Sequence, residues 1–313
     1  MAESKLSPDY TEFATMNPDL PLNYIERIRE YYQVLGYGEP YQWAHFDGVP
    51  FTPLEKPLAQ STIGIVTTAA PYRADKGEQG PGAVYNGAAK FFSVYSDSTA
   101  TEPQLCISHI AYDRAHTTAN DLGSYFPLKA LKALSETGRI KDIAPRFHGL
   151  PTNRSQRTTL EVDCAELVSR CREDAIDAAI LVPNCPVCHQ SVSLAARALE
   201  AAGIATVIMG CARDIVEHVG VPRLLFNNFP LGNSAGLPDD VDAQLRIASL
   251  ALDLLEKAGK PRTTEQSPYR WNGVGDWQRD YSNAAILSKQ EIASRREEFD
   301  RVKADAKRVR AAQ

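Results

Sequence analysis

The sequence predicts an α/β protein built on parallel sheets, and three observations support this prediction. Short, continuous apolar runs such as residues 179–182 are typical of strands that are covered on both faces. Helical periodicity follows several of these runs. Residues 177–210 have the pattern of a βαβ crossover, because Gly203 ends a helix and a second apolar run follows it.

The predicted elements alternate between strands and helices along the chain. Strands are predicted at residues 61–68, 105–110, 179–182, 204–209 and 224–226. Helices are predicted at residues 22–35, 126–134, 160–171, 188–203, 241–258 and 287–310. Because strand, polar turn and helix recur in residues 61–138 and 177–258, we predict two Rossmann-like lobes, each with its own parallel sheet.

The predicted domains are two lobes between two arms. Residues 1–58 form an N-terminal arm rich in proline and aromatic residues, and residues 59–150 form the first lobe. Residues 151–260 form the second lobe, and residues 261–313 form a C-terminal arm with a charged helix. The charged helix has few apolar anchors, so it packs on a partner subunit or projects into solvent.

Composition excludes several classes of function. The chain has 313 residues, 43% of them hydrophobic, and a net charge of −5 without a long block of one sign. We therefore expect no binding to nucleic acid or to a membrane. No apolar run approaches the ~18 residues of a membrane-spanning helix, and the N-terminal stretch lacks a signal-peptide pattern. Six cysteines are too few for a disulfide scaffold, so a cytoplasmic protein is predicted.

A Cys-Pro-Val-Cys motif, Cys185 to Cys188, lies where one predicted strand ends and the next helix begins. Ligands bind at this edge of parallel sheets, and the amides that open a helix lower the pKa of a thiol. Such a pair is a redox dithiol, half of a metal site, a haem attachment site (with His189) or inert packing. We favour the reactive dithiol, because no second cysteine pair and no export signal accompany it.

Polar residues follow other predicted strands. Ser108, His109, Tyr112, Asp113, His116 and Asp121 crowd groups suited to proton transfer into residues 108–121. We predict that the proton donor is His109, Asp113 or His189. A loop of small and amide residues, 227–238, is predicted to close over a ligand. The residues predicted to bind a substrate carboxylate are Thr67, Thr68, Tyr112, Arg213, Asn227 and Asn228.

Several short motifs, taken in order over residues 60–260, resemble one enzyme family. They are Ser108-His109, Tyr112-Asp113, Asp121, Phe126-Pro127-Leu128, Gly138-Arg139-Ile140, Ala144-Pro145-Arg146, residues 179–183 with the cysteine pair, and Ala202-Gly203-Ile204. The chain resembles the selenoprotein B family of glycine, sarcosine and betaine reductases, together with the related D-proline reductase subunit.

The resemblance implies reductive cleavage of a C–N bond next to a carboxylate. It implies that Cys185 occupies the position of the selenocysteine, that Cys188 is the resolving cysteine, and that partner reductase subunits take part. The chain departs from the family pattern, since Ser191 stands where a third cysteine would fall and Ala111 replaces a polar residue. The substrate therefore stays open.

Three hypotheses of function remain. The first is a thiol-dependent reductase of a small carboxylate, a homo-oligomer that uses an external dithiol or thioredoxin-like reductant and holds no cofactor or metal. The second is a redox-neutral enzyme, because two pseudo-equivalent halves also describe the aspartate/glutamate racemases. Thr67 and Thr68 stand where the second cysteine of those enzymes would lie, which disfavours a two-base racemase and favours a one-cysteine decarboxylase or isomerase within this class. The third is a non-catalytic subunit on the same scaffold.

Overall fold

The computed structural model describes residues 20–79, 89–109, 111–273 and 276–311. Residues 1–19 of the predicted N-terminal arm, and Ile110 of the predicted strand 105–110, lie outside these ranges. The strands are β1 (Thr62–Thr67), β2 (Ala70–Pro71), β3 (Tyr95–Ser98), β4 (Leu105–Cys106), β5 (Asp142–Ile143), β6 (Arg146–Gly149), β7 (Ala178–Val182), β8 (Ala205–Gly210), β9 (Arg223–Phe226) and β10 (Thr263–Gln266).

The helices agree with most of the predicted periodic segments. They are α1 (Tyr24–Val34), α2 (Leu128–Glu136), α3 (Gln156–Thr158), α4 (Cys164–Glu173), α5 (Pro186–Ala201), α6 (Arg213–Val219), α7 (Val241–Lys257), α8 (Trp277–Asp280) and α9 (Lys289–Ala311). A π-helical turn, Thr159–Asp163, joins α3 to α4. In the described part of the chain, no helix is both long enough and apolar enough to cross a membrane.

The centre of the fold is an eight-stranded sheet in the order β10-β9-β8-β7-β1-β6-β3, in which β5 also pairs with β1. Its strand pairs are parallel apart from the edge pair β3–β6. Strands β2 and β4 form a separate antiparallel pair. The predicted α/β class with a mostly parallel sheet is thus confirmed.

The two predicted sheets are one sheet, which corrects the prediction of a separate, pseudo-symmetric sheet in each lobe. Strand β1 pairs with β7 along its length, from Ile63 opposite Ala178 to Thr67 opposite Val182. Both strands are buried. Their backbone N–H and C=O groups therefore need a hydrogen-bonded strand on either side. The predicted strand 105–110 shortens to β4, which pairs antiparallel with β2 and does not enter the central sheet.

Helices cover both faces of the sheet. Along β7, Ile180 faces a core shared with α2 and α7, whereas Leu181 faces a core shared with α4, α5 and α6. This alternation explains why the strand is a continuous apolar run. The structure is therefore a three-layer α/β/α arrangement that presents the carboxyl ends of the parallel strands along one edge.

The C-terminal arm contacts the N-terminal arm of its own chain, and its charged helix also leaves many side chains exposed, so packing on a partner subunit stays a prediction. Phe299 of α9 lies with its ring centroid 5.3 Å from that of Tyr32 and 4.9 Å from that of Tyr37. The Tyr37 hydroxyl donates a hydrogen bond of 2.7 Å to Asp300. The predicted C-terminal arm, residues 261–313, also contributes β10, which extends the sheet beside β9.

Candidate functional site

The path of the chain through the sheet opens a crevice beside Cys185. After β1 the chain builds β6 on one side of β1, and then it crosses to β7 on the other side and continues through β8 to β9. Connections that leave in opposite directions separate at this point and leave a crevice beyond the carboxyl ends of the strands. Cys185 follows β7 and therefore lies at this switch point.

Cys185 is the N-cap residue of α5. Its backbone is extended, and its Sγ accepts a hydrogen bond of 3.2 Å from the backbone N–H of Cys188. Pro186 follows at the first helical position, where its fixed φ suits a helix start. Serine or aspartate usually caps a helix in this way, so a thiolate at Cys185 would be held by the same amide and by the helix dipole.

The two cysteines of the motif form a disulfide, with Cα atoms 4.9 Å apart. Cys185 lines a cleft, although only 4% of it is exposed, and Cys188 is fully buried behind it. The pair thus has an outer and an inner sulfur, which is the order that a nucleophile and a resolving thiol require.

A short polar chain leads from the inner sulfur to His109. The Thr152 hydroxyl donates a hydrogen bond of 3.4 Å to Cys188 Sγ and lies 3.2 Å from His109 Nε2. Burial, with smaller contributions from Lys90 and Arg114, lowers the pKa of His109 to about 3. His109 therefore lies beside the cysteine pair, as predicted, but it is uncharged near neutral pH.

Asp113 lies in the cleft wall and is engaged by a neighbour. His116 Nδ1 is 2.9 Å from Asp113 Oδ1, and the other ring nitrogen of His116 is 3.6 Å from Asp280 Oδ2. Burial raises the pKa of the Asp113 carboxyl, although the hydrogen bond from His116 opposes the rise. Tyr112, which also lines the cleft, stacks under the guanidinium of Arg114 at 5.0 Å.

His189 lies beneath the motif and not in the cleft. Its Nε2 accepts hydrogen bonds from the backbone N–H groups of Cys211 at 2.9 Å and Ala212 at 3.1 Å. Its Nδ1 therefore carries the proton, which it donates to the carbonyl of Cys185 at 2.8 Å. Burial lowers its pKa to about 4. Both ring nitrogens hold the turn in place, and no proton is left to reach a substrate.

Thr67 and Thr68 also support the turn from below. The Thr67 hydroxyl accepts a hydrogen bond of 3.1 Å from the backbone N–H of Ala69. The Thr68 hydroxyl accepts bonds of 3.1 Å and 3.3 Å from the backbone and side-chain amides of Asn184. Both threonines are fully buried. Thr68 thus fixes the residue before Cys185, Thr67 holds the loop after β1, and the described cleft lining includes neither.

The other predicted carboxylate-binding residues lie away from the cleft. Arg213 forms an ion pair of 2.9 Å with Glu217 on the surface of α6. Asn227 donates to the carbonyl of Ser234 at 2.9 Å, and Asn228 accepts from Gln278 at 3.3 Å. Loop 227–238, predicted to close over a ligand, is instead largely buried, because its apolar residues fill the core.

The cleft has a volume of about 760 Å³ and a positive lining. Seven lysine or arginine residues against three acidic ones line its described part, although the chain as a whole carries −5. Burial, with Arg154 and Arg310, lowers the pKa of Lys90 to about 8. Arg154 stacks over the ring of Tyr41 at 5.1 Å. The walls include residues of the N-terminal arm such as Tyr41, of the C-terminal arm such as Phe299, and of the loops at the edge of the central sheet. This surface is suited to an anionic small molecule.

Sequence analysis missed three residues of the cleft, Lys90, Thr152 and Arg154. Thr152 and Arg154 follow β6, a strand that is not among the predicted ones. The alternation of buried Phe147 and polar neighbours in β6 was the available signal. Had this strand been recognised, its carboxyl end would have placed both residues beside Cys185, since β6 is parallel to β1.

Fold and site together define an α/β protein that carries a dithiol at the carboxyl edge of a parallel sheet. The chain is 27% identical over 223 residues to D-proline reductase subunit gamma from Acetoanaerobium sticklandii, and the match covers 71% of this chain and 89% of that protein. No family model matches the chain, and no solved structure matches it significantly. The chain is thus similar to this reductase subunit along most of its length, in agreement with the resemblance that its motifs carry.

Proposed function

We propose that the protein is a thiol-dependent reductase that cleaves a C–N bond next to a carboxylate, with Cys185 as nucleophile and Cys188 as resolving thiol. One observation carries the proposal: Cys185, the N-cap residue of α5 at the switch point of the sheet, lines a cleft whose charged side chains are mainly cationic. The relationship to a reductase subunit supports the same reaction class.

The proposed substrate is a small amino acid whose nitrogen is bonded to the carbon next to its carboxylate. The lining of Lys90 and Arg154 complements a carboxylate, and the cleft volume of about 760 Å³ falls within the range of small-molecule sites. The name of the relative makes D-proline the first candidate. Aromatic side chains such as Trp43 and Phe92 provide apolar walls for its ring.

The proposed reaction takes both electrons from the dithiol. The Cys185 thiolate bonds to the α-carbon as the C–N bond breaks, and the nitrogen leaves with the bonding pair and takes up a proton. The Cys188 thiolate then attacks Cys185 Sγ, the S–C pair moves to the carbon, and this carbon takes up a proton. The products are the Cys185–Cys188 disulfide, which an external dithiol returns to two thiols, and a carboxylate reduced at its α-carbon; with a cyclic substrate such as D-proline the freed amine stays on the same, ring-opened molecule.

Among the proposed groups, Lys90 is best suited to bind the carboxylate or to supply a proton. Its pKa of about 8 leaves it charged near neutral pH, whereas His109, with a pKa of about 3, is neutral there. The charge of Lys90 also contributes to lowering the pKa of His109, which lies beside the sulfurs. Asp113 is committed to His116, so we assign it to orienting the cleft wall.

The charge of Lys90 predicts a pH dependence. Lys90 is protonated below its pKa of about 8 and neutral above it, so kcat/KM for a carboxylate substrate should fall as pH rises through that value. In Lys90→Arg this alkaline decline should disappear, because a guanidinium stays charged. Steady-state kinetics across pH 6–10 measure the effect. An unchanged decline in Lys90→Arg would remove Lys90 from the proposal.

The direct test of the proposed function measures, in the same reaction, the primary amine formed and the thiols oxidised. Reduced protein is incubated with D-proline in the absence of excess reductant, the primary amine formed on the ring-opened product is quantified in the protein-free filtrate with an amine-reactive dye, and intact-protein mass spectrometry counts free thiols. We expect one primary amine for each pair of thiols lost, because cleavage of the ring C–N bond turns a secondary amine into a primary one. Substrate conversion with both thiols still free would instead support a redox-neutral enzyme.

The protein is also proposed to need partner proteins and a reducing compartment. The relative is named as a subunit, so we propose that this chain also works with further reductase subunits and forms a homo-oligomer. Recycling of the disulfide requires an external dithiol or a thioredoxin-like protein, and this requirement suits a reducing compartment such as the cytoplasm.

A further inference from the structure

We propose that, once the disulfide is reduced, Cys185, Cys188 and His109 form a binding site for a single Zn²⁺ ion whose fourth position opens to the cleft. The inference does not rest on the proposed reductase reaction, since it requires only the two thiols and the imidazole. In the described part of the chain, these residues are the one group of His, Cys, Asp or Glu side chains whose geometry fits a metal ion.

The geometry of the three ligand atoms is close to that of a zinc site. The two sulfurs and one ring nitrogen of His109 all lie within 4.8 Å of one another. A tetrahedral zinc ion, with Zn–S and Zn–N bonds of ~2.3 Å and ~2.0 Å, keeps its ligand atoms roughly 3.5–4 Å apart. Side-chain rotations after the S–S bond opens suffice to reach these separations. Two cysteines and one histidine with an open fourth position are a known catalytic zinc set.

His109 has a feature that packing alone does not explain. Only 6% of it is exposed, yet its Nδ1 has no hydrogen-bond partner among the residues that the structure describes. A buried nitrogen without a partner costs free energy, so it calls for a ligand. The Thr152 hydroxyl lies between Nε2 and Cys188 Sγ and so orients ring and sulfur together, as residues around metal ligands commonly do.

Charge and protonation are compatible with a divalent cation at this point. Histidine ligates metals as the neutral imidazole and cysteine as the thiolate. Two thiolates cancel the charge of Zn²⁺, so the loaded site is neutral beside Lys90 and Arg114. Binding of the ion releases the protons of both thiols.

The disulfide makes the site dependent on redox state. When a two-electron oxidant, such as an external disulfide that is itself reduced to two thiols, oxidises the pair, the two sulfurs join, both thiolate ligands are lost and the metal is released. A zinc ion bound to the reduced pair blocks the nucleophile and protects it from oxidation. Metal and disulfide are therefore mutually exclusive at the same two sulfurs.

The test uses the full chain, reduced with a phosphine, freed of metal with a chelator and titrated with Co²⁺. We expect a near-ultraviolet thiolate-to-cobalt charge-transfer band that saturates at one ion per chain. The oxidised protein should give no such band. Zinc affinity is then measured by competition with a chromogenic chelator, and far-ultraviolet circular dichroism confirms that each variant is folded.

Variants separate this site from adventitious binding. Cys188→Ser should lose the charge-transfer band, and His109→Ala should weaken Zn²⁺ at least about 10-fold. His45→Ala and Cys106→Ser, which change a histidine and a cysteine outside the site, should keep the wild-type affinity. A reduced protein without the band, or a folded His109→Ala with wild-type affinity, would overturn the proposal. Neither outcome bears on the thiol count that tests the reductase.

Discussion

Cys185→Ser is expected to lower turnover of the substrate at least about 10³-fold, because a hydroxyl at the helix N-cap does not ionise near neutral pH and leaves no thiolate to bond to carbon. The fold should be unaffected, since serine is a preferred N-cap residue and can accept the same hydrogen bond from the N–H of residue 188. The rate at which D-proline is converted to a product with a primary amine, with an external dithiol as reductant, measures the loss.

Cys188→Ser is expected to stop the reaction at a different point. The Cys185 sulfur can still bond to the substrate, but no second thiol releases it, so steady turnover should be lost while an adduct accumulates. Intact-protein mass spectrometry detects this adduct as an increase in mass. Cys106→Ser is the matched control, because Cys106 lies outside the cleft and donates to the carbonyl of Ala70, a bond that serine can replace. Full turnover by Cys188→Ser would favour the redox-neutral alternative.

Arg223→Met is expected to destabilise the fold by about 3–5 kcal/mol. Arg223 donates a hydrogen bond of 2.9 Å to Glu200, and both side chains are fully buried. Thr206 also donates to Glu200 through its backbone and its hydroxyl. Without the guanidinium, the carboxylate is left in the core without its counter-charge, and this desolvated charge is the source of the loss. Urea unfolding measures the free energy.

A matched control separates burial from the ion pair itself. Arg213 and Glu217 are also 2.9 Å apart, but both are 40% exposed. Arg213→Met should therefore cost no more than about 1 kcal/mol, since water screens the remaining charge. The double variant Arg223→Met with Glu200→Gln should recover part of the lost stability, because no buried charge remains. Equal losses in Arg223→Met and Arg213→Met would contradict this account.

The predictable parts of the site are those that depend on local sequence. The apolar run of β7, the helix start at Pro186 and the stop at Gly203 define the turn that carries the cysteines. Neighbouring residues determine these features through backbone preferences and periodicity. His109 lies beside the cysteines in the folded protein, and its predicted role as proton donor stays a prediction.

Long-range pairing decided the rest. Whether β1 joins β7 or begins a separate sheet depends on hydrogen bonds between residues more than a hundred positions apart, which no local pattern encodes. Long-range hydrogen bonds likewise place His189 and Thr68 beneath the turn that carries the cysteines. Burial could not be seen in the sequence either, and it is burial that keeps His109 neutral and brings the pKa of Lys90 to about 8.

The amino-acid sequence by itself determined the α/β class, the strand–turn–helix unit and the cysteine pair at its turn, because each of these is fixed by residues close together in the chain. Only the tertiary structure decided that the strands form one sheet and that both arms, α9 included, wall a cationic cleft. The physical reason is that the pairing of distant strands and the loss of water around a side chain exist only in the folded molecule.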